Sequence, residues 1–128
     1  MIFIELTEVL SSHERLITLY GGMSGLRDEG ALQSALVMPQ NRVWYEGIED
    51  IAILGATYAY HLAKAHAFLD GNKRIAAVIS FAFVYVNGGK IDATEDEVVD
   101  LFMKVAASRL QRVDVEAFFR HHMIIIPS

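Results

Sequence analysis

The chain has no cysteine, so neither a disulfide nor a thiolate metal site is open to it. With no signal-peptide pattern at its start either, a reducing cytoplasm is the expected compartment. Proline occurs only twice, at Pro39 and Pro127, and no repeat or low-complexity linker interrupts the 128 residues. That scarcity points to continuous helices joined by short turns, and the length to a single domain over 1–128. Basic residues are outnumbered, and the formal net charge of −5 excludes a broad cationic face for nucleic acid. Any phosphate site must therefore be local. The longest apolar run, Ile75 to Val86, is broken by Ser80 and falls short of the roughly 20 residues that cross a bilayer, so no membrane span is expected.

What is present is helical periodicity, and the predicted class is all-α. Thr7 is placed to cap a first helix ending near Tyr20, before Gly21-Gly22, and Ile2-Phe3-Ile4 ahead of it suits a short extended piece. Asp28 is placed to cap a second helix, through Leu32, Ala35 and Leu36, and Pro39 either ends it or begins the next segment. Asp50 then caps a third, where Ile51, Leu54, Tyr58, His61, Leu62 and Ala65 form one stripe. Its other faces carry Ala52, Gly55, Ala56, Ala59 and Ala63, which predicts a close-packed neighbour. The fourth helix is apolar all round, from Ile75, Val78, Ile79, Ala82, Phe83 and Val86 with Phe81, Val84 and Tyr85 between, and is read as central and buried. Asn87-Gly88-Gly89 offers it a left-handed stop. Thr94 and Glu97 make a capping box for a fifth helix with Val98, Leu101, Phe102 and Val105, and Asp114 is placed to cap a last one, Val115 to about His122. The apolar tail Met123 to Ile126 is either a strap on the core or a contact for a partner.

The chemistry gathers at the junction of the third and fourth helices. His66 ends one, and Asn72, Lys73 and Arg74 open the next. A helix N-terminus presents free amides and the positive end of a dipole, and Gly71 lets a ligand approach the backbone. Cations in a first turn are disfavoured by that dipole, so Lys73 and Arg74 call for an anion, and phosphate is the natural one. Asp70 lies beside this site, and one carboxylate next to phosphates is a usual way of holding Mg²⁺. An imidazole is the side chain suited to take a proton from an attacking hydroxyl at neutral pH, which gives His66 a role. Together these are the parts of phosphoryl or nucleotidyl transfer. His61 and His66 are five apart, off the i, i+4 spacing of helical zinc ligands, so His61 is expected to be packed or at the cleft rim. His13, His121 and His122 are expected to be solvated. Gly89-Lys90 lacks the rest of a Walker A loop.

His66, Phe68, Asp70, Gly71, Asn72, Lys73 and Arg74 resemble, in register, the signature His-x-Phe-x-(Asp/Glu)-(Gly/Ala)-Asn-(Gly/Lys)-Arg of the Fic/Doc superfamily. Upstream, Gly21-Gly22, Gly25 to Asp28, Gln40 to Val43 and Tyr45-Glu46 are similar to the N-terminal part of its Doc (death-on-curing) branch. The resemblance implies a compact helical bundle of about six helices. It implies His66 as general base, Asp70 as Mg²⁺ ligand, Gly71, Asn72, Lys73 and Arg74 as the holders of ATP phosphates, and Phe68 as the loop's anchor. Lys73 stands where AMP-transferring members carry Gly, Ala67 where they carry Pro, and Ala77 where they carry a second Arg. These departures favour the Doc branch, which the resemblance identifies with transfer of phosphate to a threonine of elongation factor Tu. AMP transfer is the alternative, and a non-catalytic partner-binding module the second. The superfamily's inhibitory helix motif has no match in register, since Ser24 to Glu29-Gly30 is one residue too long, so inhibition is expected from a Phd-like antitoxin.

Overall fold

The computed structural model describes residues 1–127, among which six helices and one short strand pair form. In chain order they are α1 (Leu6–Tyr20), α2 (Glu29–Glu46), α3 (Ile51–Ala65), α4 (Asn72–Val86), β1 (Gly89–Ile91), α5 (Glu95–Ala106), α6 (Arg112–His122) and β2 (Met123–Ile125). Most helix starts follow from short-range hydrogen bonding. Asp28 accepts from the Ala31 amide at 3.0 Å and Asp50 from Ala52 at 2.8 Å, while Thr94 and Glu97 close their capping box. Two starts lie upstream of the predicted residue. In α1 the cap is Glu5, paired with Glu8, rather than Thr7. In α6 the cap is Gln111, and Asp114 reaches back to its amide at 2.8 Å as the third helical residue. A carboxylate serves a helix start from either position, and spacing alone does not separate the two.

Pro39 does not end α2. The helix runs on to Glu46 and stops at Gly47, whose φ of 67° is the left-handed cap. An internal proline forfeits one backbone bond, but the Pro39 ring is buried, and that burial offsets part of the loss.

The centre of the molecule belongs to α3 even more than to α4. Helix α3 packs on α2, α4, α5 and α6, and its small residues permit it: a Cβ on Gly55 would lie 2.6 Å from the Val84 side chain and 3.0 Å from Phe119. Helix α4 buries Ile75, Ile79, Phe83 and Val84 against it but leaves Tyr85 and Val86 exposed. Behind α3, Arg42 is buried and donates to Thr57 (3.0 Å) and Glu116 (2.8 Å), tying α2, α3 and α6 with one guanidinium.

The tail forms a strand against the chain itself, with Ile124 and Ile125 exposed. Strand β2 pairs antiparallel with β1, Lys90 opposite Ile124, and the Ile126 amide donates to the Gly88 carbonyl. The left-handed residue at the end of α4 is Gly88 (φ 99°) and not Asn87, whose side chain is engaged elsewhere. It accepts from the Ile2 amide and donates to the Ile2 carbonyl, both at 2.8 Å, so one side-chain amide replaces a strand partner and the extended 2–4 piece joins no sheet. The Ile4 amide donates to the buried Tyr58 hydroxyl, whose pKa burial pushes up to about 12.

Candidate active site

The chain turns out of α3 at His66, which takes a left-handed conformation (φ 46°, ψ 45°). A side chain with a Cβ is held there only by its surroundings, and here the holder is Arg27, whose Nε and Nη2 donate to the His66 carbonyl at 3.0 and 2.6 Å. The amides of Arg27 and Asp28 both donate to the Ala67 carbonyl, and the Leu69 amide donates to Gly25, so the 25–28 segment and the loop run as a short antiparallel bridge, Leu26 to Phe68. Phe68 is buried in the core, as an anchor should be.

Asn72 closes the loop on itself. Its Oδ1 accepts from the Phe68 amide and its Nδ2 donates to the Phe68 carbonyl, both at 2.9 Å. With its side chain so engaged, what Asn72 offers an anion is its backbone amide in the first turn of α4. That helix has Gly71 (φ 74°) at its cap position and no side chain capping it, so its N-terminal amides face the cleft. Lys73 and Arg74 are exposed there and form no salt bridge among the described residues. The Arg74 guanidinium lies 4.3 Å over the Tyr20 ring, a cation–π contact through its flat face that leaves the N–H donors at its edge without a salt-bridge partner among the described residues.

Asp70 is oriented by two amides, Gly71 to Oδ1 at 3.0 Å and Met23 to Oδ2 at 3.3 Å. Gly22 permits this approach: a Cβ there would sit 2.8 Å from Oδ2, and its φ of 112° suits glycine. His66, Asp70, Gly71, Asn72, Lys73 and Arg74 all line one open cleft of about 560 Å³. Its opposite wall is α5, through Glu95, Val98, Val99, Phe102, Met103 and Ala106. The cleft thus brings together an imidazole, the Asp70 carboxylate, an uncapped helix start and two cations without a salt bridge among the described residues, opposite a mainly apolar face that carries Glu95 at one end of α5.

A sequence model of the Fic/DOC family matches residues 3–84, from the segment before α1 nearly to the end of α4. The chain is 33% identical over 103 residues to "Protein kinase doc" of Escherichia phage P1, covering 80% of this chain and 81% of that protein. It is 36% identical over 93 residues to "Toxin Doc" of Mycolicibacterium smegmatis (strain ATCC 700084 / mc(2)155), covering 68% and 69%. The chain belongs to the Fic/DOC family, and within it is Doc-like.

Four contributors to this Fic/DOC site escape the sequence reading. His13, expected to be solvated, is 1% exposed and donates from Nε2 to the Asp70 carbonyl at 2.8 Å, stacked 3.7 Å from the Phe68 ring. Its clue is its position four residues after the buried Val9, on the inward face of α1. Arg27 stood in a matched stretch without a role. Val99 and Met103, four apart and 50% and 57% exposed, lie just outside the buried stripe of α5, and two apolar residues there signal a second face.

The other histidines sort as follows. His61 lies off the cleft, against Arg112 at 3.2 Å; burial foremost, then the Arg112 and Arg42 charges, lower its pKa to about 4, so it is neutral near pH 7. His121 is exposed as expected, whereas His122 is half-buried, packed on Phe118 and bonded to the Asp92 carbonyl. No helix of the described residues is long and apolar enough to cross a membrane.

Proposed function

We propose that this Doc-like chain transfers the γ-phosphate of ATP to a serine or threonine hydroxyl of a target protein, with a translation factor such as elongation factor Tu as the candidate target. The observation that carries the reading is the single cleft in which His66 and Asp70 stand beside the uncapped N-terminus of α4 with Lys73 and Arg74 unpaired. His66 takes the proton of the target hydroxyl as its oxygen bonds to the γ-phosphorus, and ADP leaves. The amides of the first α4 turn, with Lys73 and Arg74, hold the phosphate oxygens and stabilise the charge on the transferring group.

The donor set fits a magnesium ion. Mg²⁺ keeps several waters and takes one or two carboxylates with substrate phosphates, so the one oriented carboxylate of Asp70 suffices where a closed protein cage would not be needed. When bound, the ion would neutralise phosphate charge. Val99, Phe102 and Met103 offer the apolar wall for the nucleotide base. A relative whose name is "Protein kinase doc" supports phosphate rather than AMP as the transferred group, as does Lys73 in place of glycine. We assign control to a Phd-like antitoxin, because the chain carries no inhibitory motif of its own in register.

Incubation with ATP labelled at the α- or the γ-phosphate, in the presence of purified elongation factor Tu or a cell extract, tests the reading. Transfer of γ-label with release of ADP is the expected result. Transfer of α-label with release of pyrophosphate would replace it with AMP transfer, and full growth inhibition by a His66→Asn variant would replace it with a non-catalytic module.

A further inference from the structure

We infer that His13 is a positioning residue for the active site, setting the orientation of the Asp70 carboxylate through the peptide group between Asp70 and Gly71. The inference rests on the reading of Asp70 as the metal ligand.

A carbonyl oxygen only accepts, so the His13 nitrogen at 2.8 Å from the Asp70 carbonyl carries a hydrogen and donates it. That carbonyl shares one planar peptide unit with the Gly71 amide. The Gly71 amide in turn donates to Oδ1 of Asp70 at 3.0 Å. One rigid plane therefore joins the imidazole at its oxygen end to the carboxylate at its nitrogen end. Turning the plane moves the donor that Oδ1 follows. Accepting a bond at the carbonyl also polarises the unit and strengthens the amide as a donor.

Two further contacts fix the ring itself. It lies face to face on Phe68, 3.7 Å between centroids and 13° from parallel. Its Nε2 edge abuts the turn, where a Cβ on Gly71 would lie 3.6 Å away. At 1% exposure the ring has no access to solvent, so an imidazole here serves the loop, 57 residues away in sequence. A buried polar side chain is costly unless its bond matters to the fold or the site.

The test separates the donor from the ring. His13→Phe keeps a ring against Phe68 and removes the donor; His13→Gln keeps a donor of similar reach. Mn²⁺ affinity, read by electron paramagnetic resonance with ADP present, reports on the carboxylate without requiring turnover, and thermal unfolding reports on the fold. We expect His13→Phe to bind Mn²⁺ about tenfold more weakly than the parent, and His13→Gln to stay within about threefold, the usual consequence of losing or keeping a group that orients a metal ligand. The inference is overturned if His13→Phe binds Mn²⁺ like the parent while Asp70→Asn does not, or if His13→Gln is as weak as His13→Phe at an unchanged melting temperature. It is also overturned if neither variant folds, since position 13 then serves the fold alone. Asp70→Asn binding Mn²⁺ as tightly as the parent would remove the metal reading itself, a failure distinguishable from the others.

Discussion

The two walls of the cleft are built on opposite principles. On the loop wall each residue from 66 to 70 has a backbone group tied down: His66 by the Arg27 side chain, Ala67 by the Arg27 and Asp28 amides, Phe68 by Asn72, Leu69 by Gly25, Asp70 by His13. The α5 wall is side chains only, with Val99 and Met103 half-exposed and the helix held in the core by the buried Leu101 and Val105. A wall that performs chemistry must hold its donors to within fractions of an ångström. A wall that recognises an apolar surface can adapt, and methionine with its three flexible bonds is suited to that. The contrast assigns rate to one wall and affinity to the other.

Substitutions can break that division, beginning with the largest effect. Replacing His66 by Asn, which tolerates the left-handed backbone, should lower transfer by at least about 100-fold, measured as kcat, with stability changed by no more than about 0.5 kcal/mol. Next, Arg27→Ala frees the His66 carbonyl and should lower kcat by about tenfold or more, with Arg27→Lys recovering only part because it cannot fork. On the other wall, Val99→Ala with Met103→Ala should raise the KM for ATP by about three- to tenfold with kcat little changed. If kcat falls instead, the α5 wall shares in the chemistry and the division fails.

The smallest effect lies behind the cleft. The pKa of His61 is lowered to about 4 in the folded protein from an ordinary value of 6.5, so the unfolded chain binds the extra proton between those values. Its contribution to stability is full above about pH 6.5 and is lost as pH falls toward 4, about 1 kcal/mol once partial exposure is allowed for. Denaturant unfolding from pH 7 to 4.5 should show a shallower decline in His61→Gln than in the parent.

Local signals were legible in the sequence and long-range ones were not. Asp28, Asp50 and the Thr94–Glu97 box cap the helices assigned to them, and the small residues of α3 foretold its crowded neighbours, because each of these effects acts within one turn or one face. Pro39 misled because its cost is offset by burial that only the tertiary fold provides. His66 and Asp70 to Arg74 converge on one cleft as the spacing suggested, and membership of the Fic/DOC family agrees with that pattern. The roles of His13 and Arg27 were out of reach, since their partners lie 57 and 39 residues away; the helical spacing from Val9 can mark His13 as inward but cannot name what it meets. The strand pair was hidden for the same reason: β1 and β2 have three residues each and meet across two helices.

The most direct test of the account follows the fate of ATP. With Mg²⁺ and a target protein, the parent should release ADP and pass γ-label to a target hydroxyl, and His66→Asn should do neither. Pyrophosphate as the released product, or γ-transfer by His66→Asn at the parent's rate, would contradict it.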